Sequence, residues 1–96
     1  EPIILMGDFN SLPNSRPVHT ILKKLKDSYN ISINKPQGPK GTYNGFNEDQ
    51  PIEKRIDYIY VKNIDVHSHE HIDDRLDNSN HISDHLPVMV DIISEP

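Results

Sequence analysis

The run from Arg55 to Val61 constrains the fold of this chain most, because its residue types alternate as a β-strand requires. The two faces of this strand would consist of Ile56, Tyr58 and Tyr60, and of Asp57, Ile59 and Val61. Asp57 would lie in the middle of the strand, where aspartate is disfavoured. Its carboxylate must be either exposed or paired, because burying a lone charge is costly.

A helix is predicted between Ser15 and Asp27. Ser15 is a candidate N-cap, and Pro17 suits the first helical turn. One apolar face follows at helical spacing and consists of Val18, Ile21, Leu22 and Leu25. The other side carries Lys23, Lys24 and Lys26, which are interpreted as a solvated face rather than a nucleic-acid surface.

Further strands are predicted for three runs, a short buried one at residues 2–7 and two more at residues 64–72 and 86–93. Short strands are possible interpretations of residues 28–34 and 42–46. Polar, proline and glycine residues predict exposed loops at residues 35–41, 47–54 and 73–83. Several strands with one main helix predict an α/β fold that forms half of a layered sandwich.

The composition excludes several classes of protein. Ninety-six residues form one domain at most, and without cysteine there is no disulfide or thiolate metal site. No apolar run approaches the roughly 18 residues that a membrane-spanning helix needs. A net charge of −5 makes the chain a poor general binder of nucleic acid. Acidic groups can still serve a phosphate substrate if a divalent cation lies between them.

Three segments contain side chains that could bind a metal or transfer a proton. They are Gly7-Asp8-Phe9-Asn10, residues 55–59 and Ser83-Asp84-His85-Leu86-Pro87-Val88. Each also has a plain structural interpretation. The first could be an Asx turn, the second a solvent-facing aspartate near Arg55, and the third a capped turn. Together they supply three carboxylates, one amide and one imidazole, all within a strand, at strand ends or in loops. Such a set can hold a divalent metal and move a proton at a phosphate ester.

The ordered set GDFN (7–10), RIDYI (55–59) and SDHLPV (83–88) resembles the endonuclease/exonuclease/phosphatase family. The resemblance implies a four-layer α/β/β/α sandwich with mainly antiparallel sheets. Residues 1–96 would be the C-terminal part of one such domain, with one main helix. The implied activity is hydrolysis of a phosphate ester with Mg²⁺ or Mn²⁺, by in-line attack of water.

The resemblance also implies roles for individual residues. Asp8 would orient or deprotonate the attacking water, and Asn10 would bind the phosphoryl oxygens. Asp57 would bond one nitrogen of His85, which would then contact the scissile phosphate as an acid/base or as an electrostatic stabiliser. Asp84 would be a metal ligand. The substrate pocket would be lined by Thr42, Tyr43 and Phe46, in a stretch similar to a substrate-side loop of bacterial members.

Family members also have an N-terminal half that supplies further metal ligands, a second catalytic histidine and one of the two sheets. No segment here matches those motifs. We therefore expect a chain that is inactive alone and is part of a longer protein. It would bind its missing half or associate with itself through an exposed sheet. The substrate would be a nucleic acid, a phospholipid or a sugar phosphate.

Two other functions remain open at this point. One is a non-catalytic binding or scaffold module that kept the fold. The other is a histidine-rich metal carrier, in which His67, His69 and His71 would bind zinc or nickel. A solvated edge strand is the favoured interpretation of these three, because same-face neighbours lie roughly 6.6 Å apart and splay. His19 is interpreted as a surface residue of the helix. His81 lies two residues before the SDH segment and could border the cleft, but a loop residue without a role is the favoured interpretation.

Overall fold

A computed structural model describes residues 1–93 as a mixed α/β fold with antiparallel strands and few helices. The strands are β1 (Ile3–Asp8), β2 (Lys26–Asp27), β3 (Asp57–Lys62), β4 (Asp65–His71) and β5 (Val88–Ile93). The helices are α1 (Arg16–Leu22) and α2 (Ser28–Ile31). None of the helices in this described part of the chain has the length and apolar character needed to cross a membrane.

Strand β3 is the centre of the fold, as its sequence pattern predicts. It pairs antiparallel with β1 and β2, in the order β1-β3-β2. Both of its faces are buried. Tyr58 and Tyr60 pack against Val18 of α1, while Ile59 and Val61 pack against Val66 of β4. The helix therefore covers one face of β3, and the paired strands β4 and β5 cover the other.

The described strands fall into two hydrogen-bonded groups, β1-β3-β2 and β4-β5. The sequence predicted a single sheet with one helix. The β-bulge in β4 and the loop at residues 72–87 let β4 and β5 pair with each other and pack on β3 through side chains. The prediction of half a sandwich, with mainly antiparallel strands and one main helix, is confirmed.

Strand β1 differs from the prediction in its burial. All six of its residues are exposed, and Met6 has 61% of its surface accessible. The strand lies at the edge of the sheet, where β3 is its one neighbour. Its apolar composition indicates a buried strand only when other parts of a protein cover it.

The segment from residue 16 to residue 34 also differs from the prediction. Helix α1 ends at Leu22 rather than near Asp27, because Lys26 and Asp27 pair with β3 as strand β2. Ser15 occupies the N-cap position, but its side chain makes no capping hydrogen bond. Residues 28–31 form helix α2 instead of a strand, since the Asp27 carboxylate accepts the Tyr29 N–H at 3.0 Å and caps the helix.

A buried ion pair joins α2 and β2 to the entrance of β3. Arg55 Nη1 lies 2.7 Å from Asp27 Oδ2, with side chains only 7% and 1% exposed. The guanidinium also lies over the rings of Tyr29 and Tyr58, at 4.3 and 4.9 Å from their centroids. Arg55 is therefore held by Asp27, Tyr29 and Tyr58. It does not pair with Asp57, whose carboxylate is left to bind another residue.

The substitution Asp27→Ala should destabilise the chain by about 3–5 kcal/mol, because it leaves the Arg55 charge buried and removes the cap of α2. Urea unfolding followed by circular dichroism measures this free energy. Asp49→Ala, at an exposed aspartate, is the matched control and should change it by less than about 0.5 kcal/mol. Equal effects of the two substitutions would contradict this account.

The three alternating histidines are not on a solvated strand, so that prediction was wrong for two of them. A β-bulge between Val66 and Ser68 makes His67 the extra residue, and His67 is exposed. His69 and His71 are each only 1% exposed, with ring centroids 4.8 Å apart. The bulge turns both inward beneath α2, so the three imidazoles do not converge on one metal position.

Hydrogen bonds around the two buried histidines determine where their protons lie. The carbonyl of Pro39 can only accept, so His71 donates its Nδ1–H to it at 2.8 Å. His71 Nε2 then accepts, and His69 donates its Nε2–H across 2.9 Å. His69 Nδ1 in turn accepts the Ser28 hydroxyl at 2.8 Å. This relay requires both imidazoles to be neutral.

We expect NMR of ¹⁵N-histidine to show the Nε2–H tautomer for His69 and the Nδ1–H tautomer for His71. Burial, followed by the nearby His71, lowers the pKa of His69 to about 4, and burial also lowers that of His71. Their neutral forms therefore contribute stability above pH 6.5, and this contribution is lost as the pH falls toward 4. Titration of either ring near 6.5, the value of a free histidine, would contradict the relay.

Candidate active site

The antiparallel register places Asp8, the last residue of β1, directly opposite Asp57, the first residue of β3. Like charges in such a cross-strand pair are destabilising. The two carboxylates lie at the end of the sheet where both strands open into loops. A positively charged group between them would therefore be stabilised.

His85 lies in this position and supplies such a group when it is protonated. Its Nδ1 lies 2.7 Å from Asp57 Oδ2, and its Nε2 lies 3.8 Å from Asp8 Oδ2. The hydrogen bond with Asp57 raises the pKa of His85, and partial burial opposes this less strongly. The charges of Asp57, Asp8 and Asp84 raise it further. The imidazole thus lies between two carboxylates, with one nitrogen directed at each.

Thr42 organises this site from beneath. Its hydroxyl accepts the backbone N–H groups of Ile56 and Asp57, both at 3.1 Å, and its carbonyl accepts the Leu86 N–H at 2.7 Å. It thereby joins the start of β3 to the segment that carries His85. The prediction that Thr42 lines the substrate pocket is not met, because its side chain is fully buried.

The other two residues of the predicted pocket are accessible. The Tyr43 ring packs edge-to-face with His85, at 5.2 Å between centroids, and limits where the imidazole can turn. Phe46 is 55% exposed and adopts a left-handed backbone conformation with φ 59°. Tyr43 is thus beside the predicted catalytic residues, and Phe46 extends into solvent without touching them.

Asp8 and Asn10 form a turn just beyond β1. The Asn10 backbone N–H donates to Asp8 Oδ1 at 2.8 Å, which is the Asx turn considered above. Asp8 Oδ2 remains directed toward His85. The Asn10 side chain is exposed, and its φ of 48° lies in the left-handed region that asparagine tolerates.

Asp84 is partly buried and lies next to the site rather than inside it. Asp8, Asp57 and His85 are the three groups whose ligand atoms all lie within 4.8 Å of one another, and Asp84 is outside this set. Asn44 holds its backbone, since it donates N–H to the Asp84 carbonyl at 2.8 Å and Nδ2–H to the Ser83 carbonyl at 2.9 Å. No sequence signal indicated this role of Asn44.

Comparison with known proteins identifies the family. The model of the endonuclease/exonuclease/phosphatase family matches residues 1–85. The chain belongs to the endonuclease/exonuclease/phosphatase family. A search of curated proteins found no match.

Several solved structures of this fold are similar to the chain. A conserved protein of unknown function from Enterococcus faecalis V583 shares 33% identity at a TM-score of 0.88, over 98% of this chain and 37% of that one. A mannosyl-6-phosphatase from Bacteroides thetaiotaomicron VPI-5482 shares 28% identity at 0.83, over 97% and 38%. A family protein from Bacteroides vulgatus shares 29% at 0.83, over 98% and 37%.

The chain therefore spans about 37% of the length of these solved family structures. Their agreement over nearly all of its residues confirms the resemblance and the half-sandwich fold. Of the five polar residues expected from the family motifs, the structure brings Asp8, Asp57 and His85 together. Asn10 and Asp84 lie at the margin of this three-residue group.

We expect the pKa of His85 to be above the 6.5 of a free histidine, and Asp57→Asn to lower it. Because the folded pKa is the higher one, His85 contributes stability below pH 6.5 and loses it as the pH rises through the folded value. NMR titration of the His85 ring measures its pKa in the unsubstituted protein and in Asp57→Asn. Asp49→Asn is the control for loss of one exposed negative charge. An unchanged midpoint in Asp57→Asn would contradict the role of this hydrogen bond.

Proposed function

We propose that this chain is the C-terminal part of a single-domain, divalent-metal-dependent phosphoesterase that hydrolyses its substrate by in-line attack of water. The observation that carries the proposal is the position of His85 between Asp57 and Asp8, at 2.7 and 3.8 Å. An imidazole held in this way is suited to a reaction in which negative charge and protons move at a phosphate ester.

His85 carries out the central step. Asp57 accepts the Nδ1–H, so the proton that His85 can exchange with a substrate is the one on Nε2. In the protonated form this Nε2–H donates to a phosphoryl oxygen or protonates the departing oxygen. The Tyr43 ring and the Asp57 hydrogen bond keep the imidazole oriented for that contact.

Asp8 acts on the attacking water. Its Oδ1 is held by the Asn10 N–H, and its half-exposed side chain lines a shallow pocket of about 200 Å³. A water molecule there can donate one hydrogen to Oδ2 and direct its oxygen at phosphorus. The exposed Asn10 amide is positioned to donate to the phosphoryl oxygens as charge builds on them.

The donor set fits a hard divalent cation only in part. His85 uses Nδ1 on Asp57, so the Asp8–His85–Asp57 group is better suited to proton transfer. The partly buried carboxylate of Asp84 is the oxygen donor that would hold Mg²⁺ or Mn²⁺. When bound, such an ion polarises the phosphate and stabilises the leaving oxygen. One carboxylate cannot hold it, so the remaining ligands come from another part of the protein.

A sugar phosphate is the substrate class that we favour. The name of the similar mannosyl-6-phosphatase indicates a sugar phosphate as its substrate, and that protein matches 97% of this chain. Acidic side chains surround the site, which disfavours a long nucleic-acid strand. The rest of the protein would cover the exposed apolar residues of β1, and without it this surface would favour self-association.

The intact protein should hydrolyse mannose 6-phosphate in Mg²⁺ or Mn²⁺, and EDTA should abolish the activity. His85→Ala should lower kcat by about 10²–10⁴-fold, because it removes the proton donor. Residues 1–96 alone should release no measurable phosphate, since the other metal ligands are absent. A malachite-green phosphate assay checks all three results.

Asp49→Ala, at an exposed aspartate, is the control and should keep full activity. EDTA-sensitive turnover by residues 1–96 alone would show that these residues hold a complete site. Undiminished activity of the intact His85→Ala protein would refute the assignment of His85.

A further inference from the structure

A second pocket includes His85 in its lining. Its volume is about 350 Å³, and its lining includes Asp74, His81, Ser83 and Leu86 together with His85. This is within the range of roughly 300–1,000 Å³ that small-molecule sites have. A phosphate at His85 Nε2 would therefore have a cavity beside it for the group to which it is esterified.

His81 is an unusual part of this lining. It is only 4% exposed, yet neither of its ring nitrogens has a hydrogen-bond partner among the described residues. A buried polar ring without partners is unfavourable, so its presence points to a group that it binds. His81 therefore borders a cleft, which was the alternative interpretation, and is not a plain loop residue.

The surroundings of His81 orient its ring. Asp73 Oδ1 lies 3.6 Å from His81 Nδ1, and Arg75 holds both Asp73 oxygens with contacts of 3.3 Å each. The Arg75 guanidinium also donates to the Glu48 carbonyl at 3.2 Å. The Asp73 carboxylate lies on the Nδ1 side of the ring, so Nε2 is the nitrogen left to accept a hydrogen bond from a ligand.

The charge of this pocket selects the kind of group that fits. Its cationic neighbour Arg75 is already paired with Asp73, while Asp74 adds an exposed carboxylate. A second phosphate or a polynucleotide would meet uncompensated negative charge there. The lining is mainly apolar, with Ile82, Leu86 and Pro87 beside a few polar groups. A sugar suits such a lining, because its hydroxyl groups can donate to Asp74 and His81 while its carbon skeleton packs on the apolar side chains.

We propose that this pocket binds the polyol leaving group of a sugar phosphate, with His81 as a specificity-determining residue. The proposal rests on the phosphoesterase function proposed above and specifies its substrate. His85 contacts the phosphate, and the hydroxyl-bearing carbons lie in the pocket that His85 also lines. Residues 76–80 and 82–83 of the surrounding loop are exposed, and the 63% exposed Ile82 also lines the pocket.

The test compares two esters with the intact protein. Mannose 6-phosphate has hydroxyl groups for the pocket, whereas 4-nitrophenyl phosphate has none. His81→Leu should lower kcat/KM for mannose 6-phosphate by about tenfold or more and change that for 4-nitrophenyl phosphate less than about twofold. His81→Gln, which retains an acceptor, should recover part of the loss. His19→Leu, at an exposed helix histidine, is the matched control.

Asp74→Ala removes the acceptor at an exposed residue and carries the same comparison if His81→Leu does not fold. Equal losses on both esters, or no loss on either, would overturn the polyol subsite and leave the phosphoesterase proposal intact. Failure of the unsubstituted protein to hydrolyse either ester would overturn the proposed function, and the subsite with it.

Discussion

The register between β1 and β3 is the constraint on which the rest of this structure depends. It places Asp8 opposite Asp57, and a shift of one residue would turn one of the two carboxylates to the other face. Because these charges repel each other, a cationic partner stabilises the arrangement, and protonated His85 can provide it. The chemistry and the folding of this edge are thus linked through one histidine.

A loop of irregular structure brings that histidine into place. Thr42 bonds the first residues of β3, Tyr43 packs on the imidazole, and Asn44 holds the preceding turn. The carbonyl of Pro39, at the start of the same loop, accepts a hydrogen bond from His71, which is paired with His69. The loop is therefore anchored at both ends, which allows a segment without regular strands to position a reactive group.

Much of the fold was predictable, because apolar residues that recur at a fixed spacing indicate a strand or a helix. The alternation over residues 55–61 identified β3, and the helical spacing from Val18 to Leu22 identified α1. Burial was less predictable. The apolar run of β1 is exposed, and His69 is buried, because burial depends on which other elements cover a strand. The bulge at His67 also places the residues after it on the opposite face of β4 from the one that regular alternation of side chains predicts.

The sequence by itself determined the family, the central strands and the five polar residues that surround the site, since these are properties of local composition and order. Only the tertiary structure decided which of them meet. It assigned Asp57 to His85 rather than to Arg55, because Arg55 is held by Asp27. It also gave Thr42 a buried supporting position. Such pairings join residues far apart in the chain, and no local pattern specifies the distance between them.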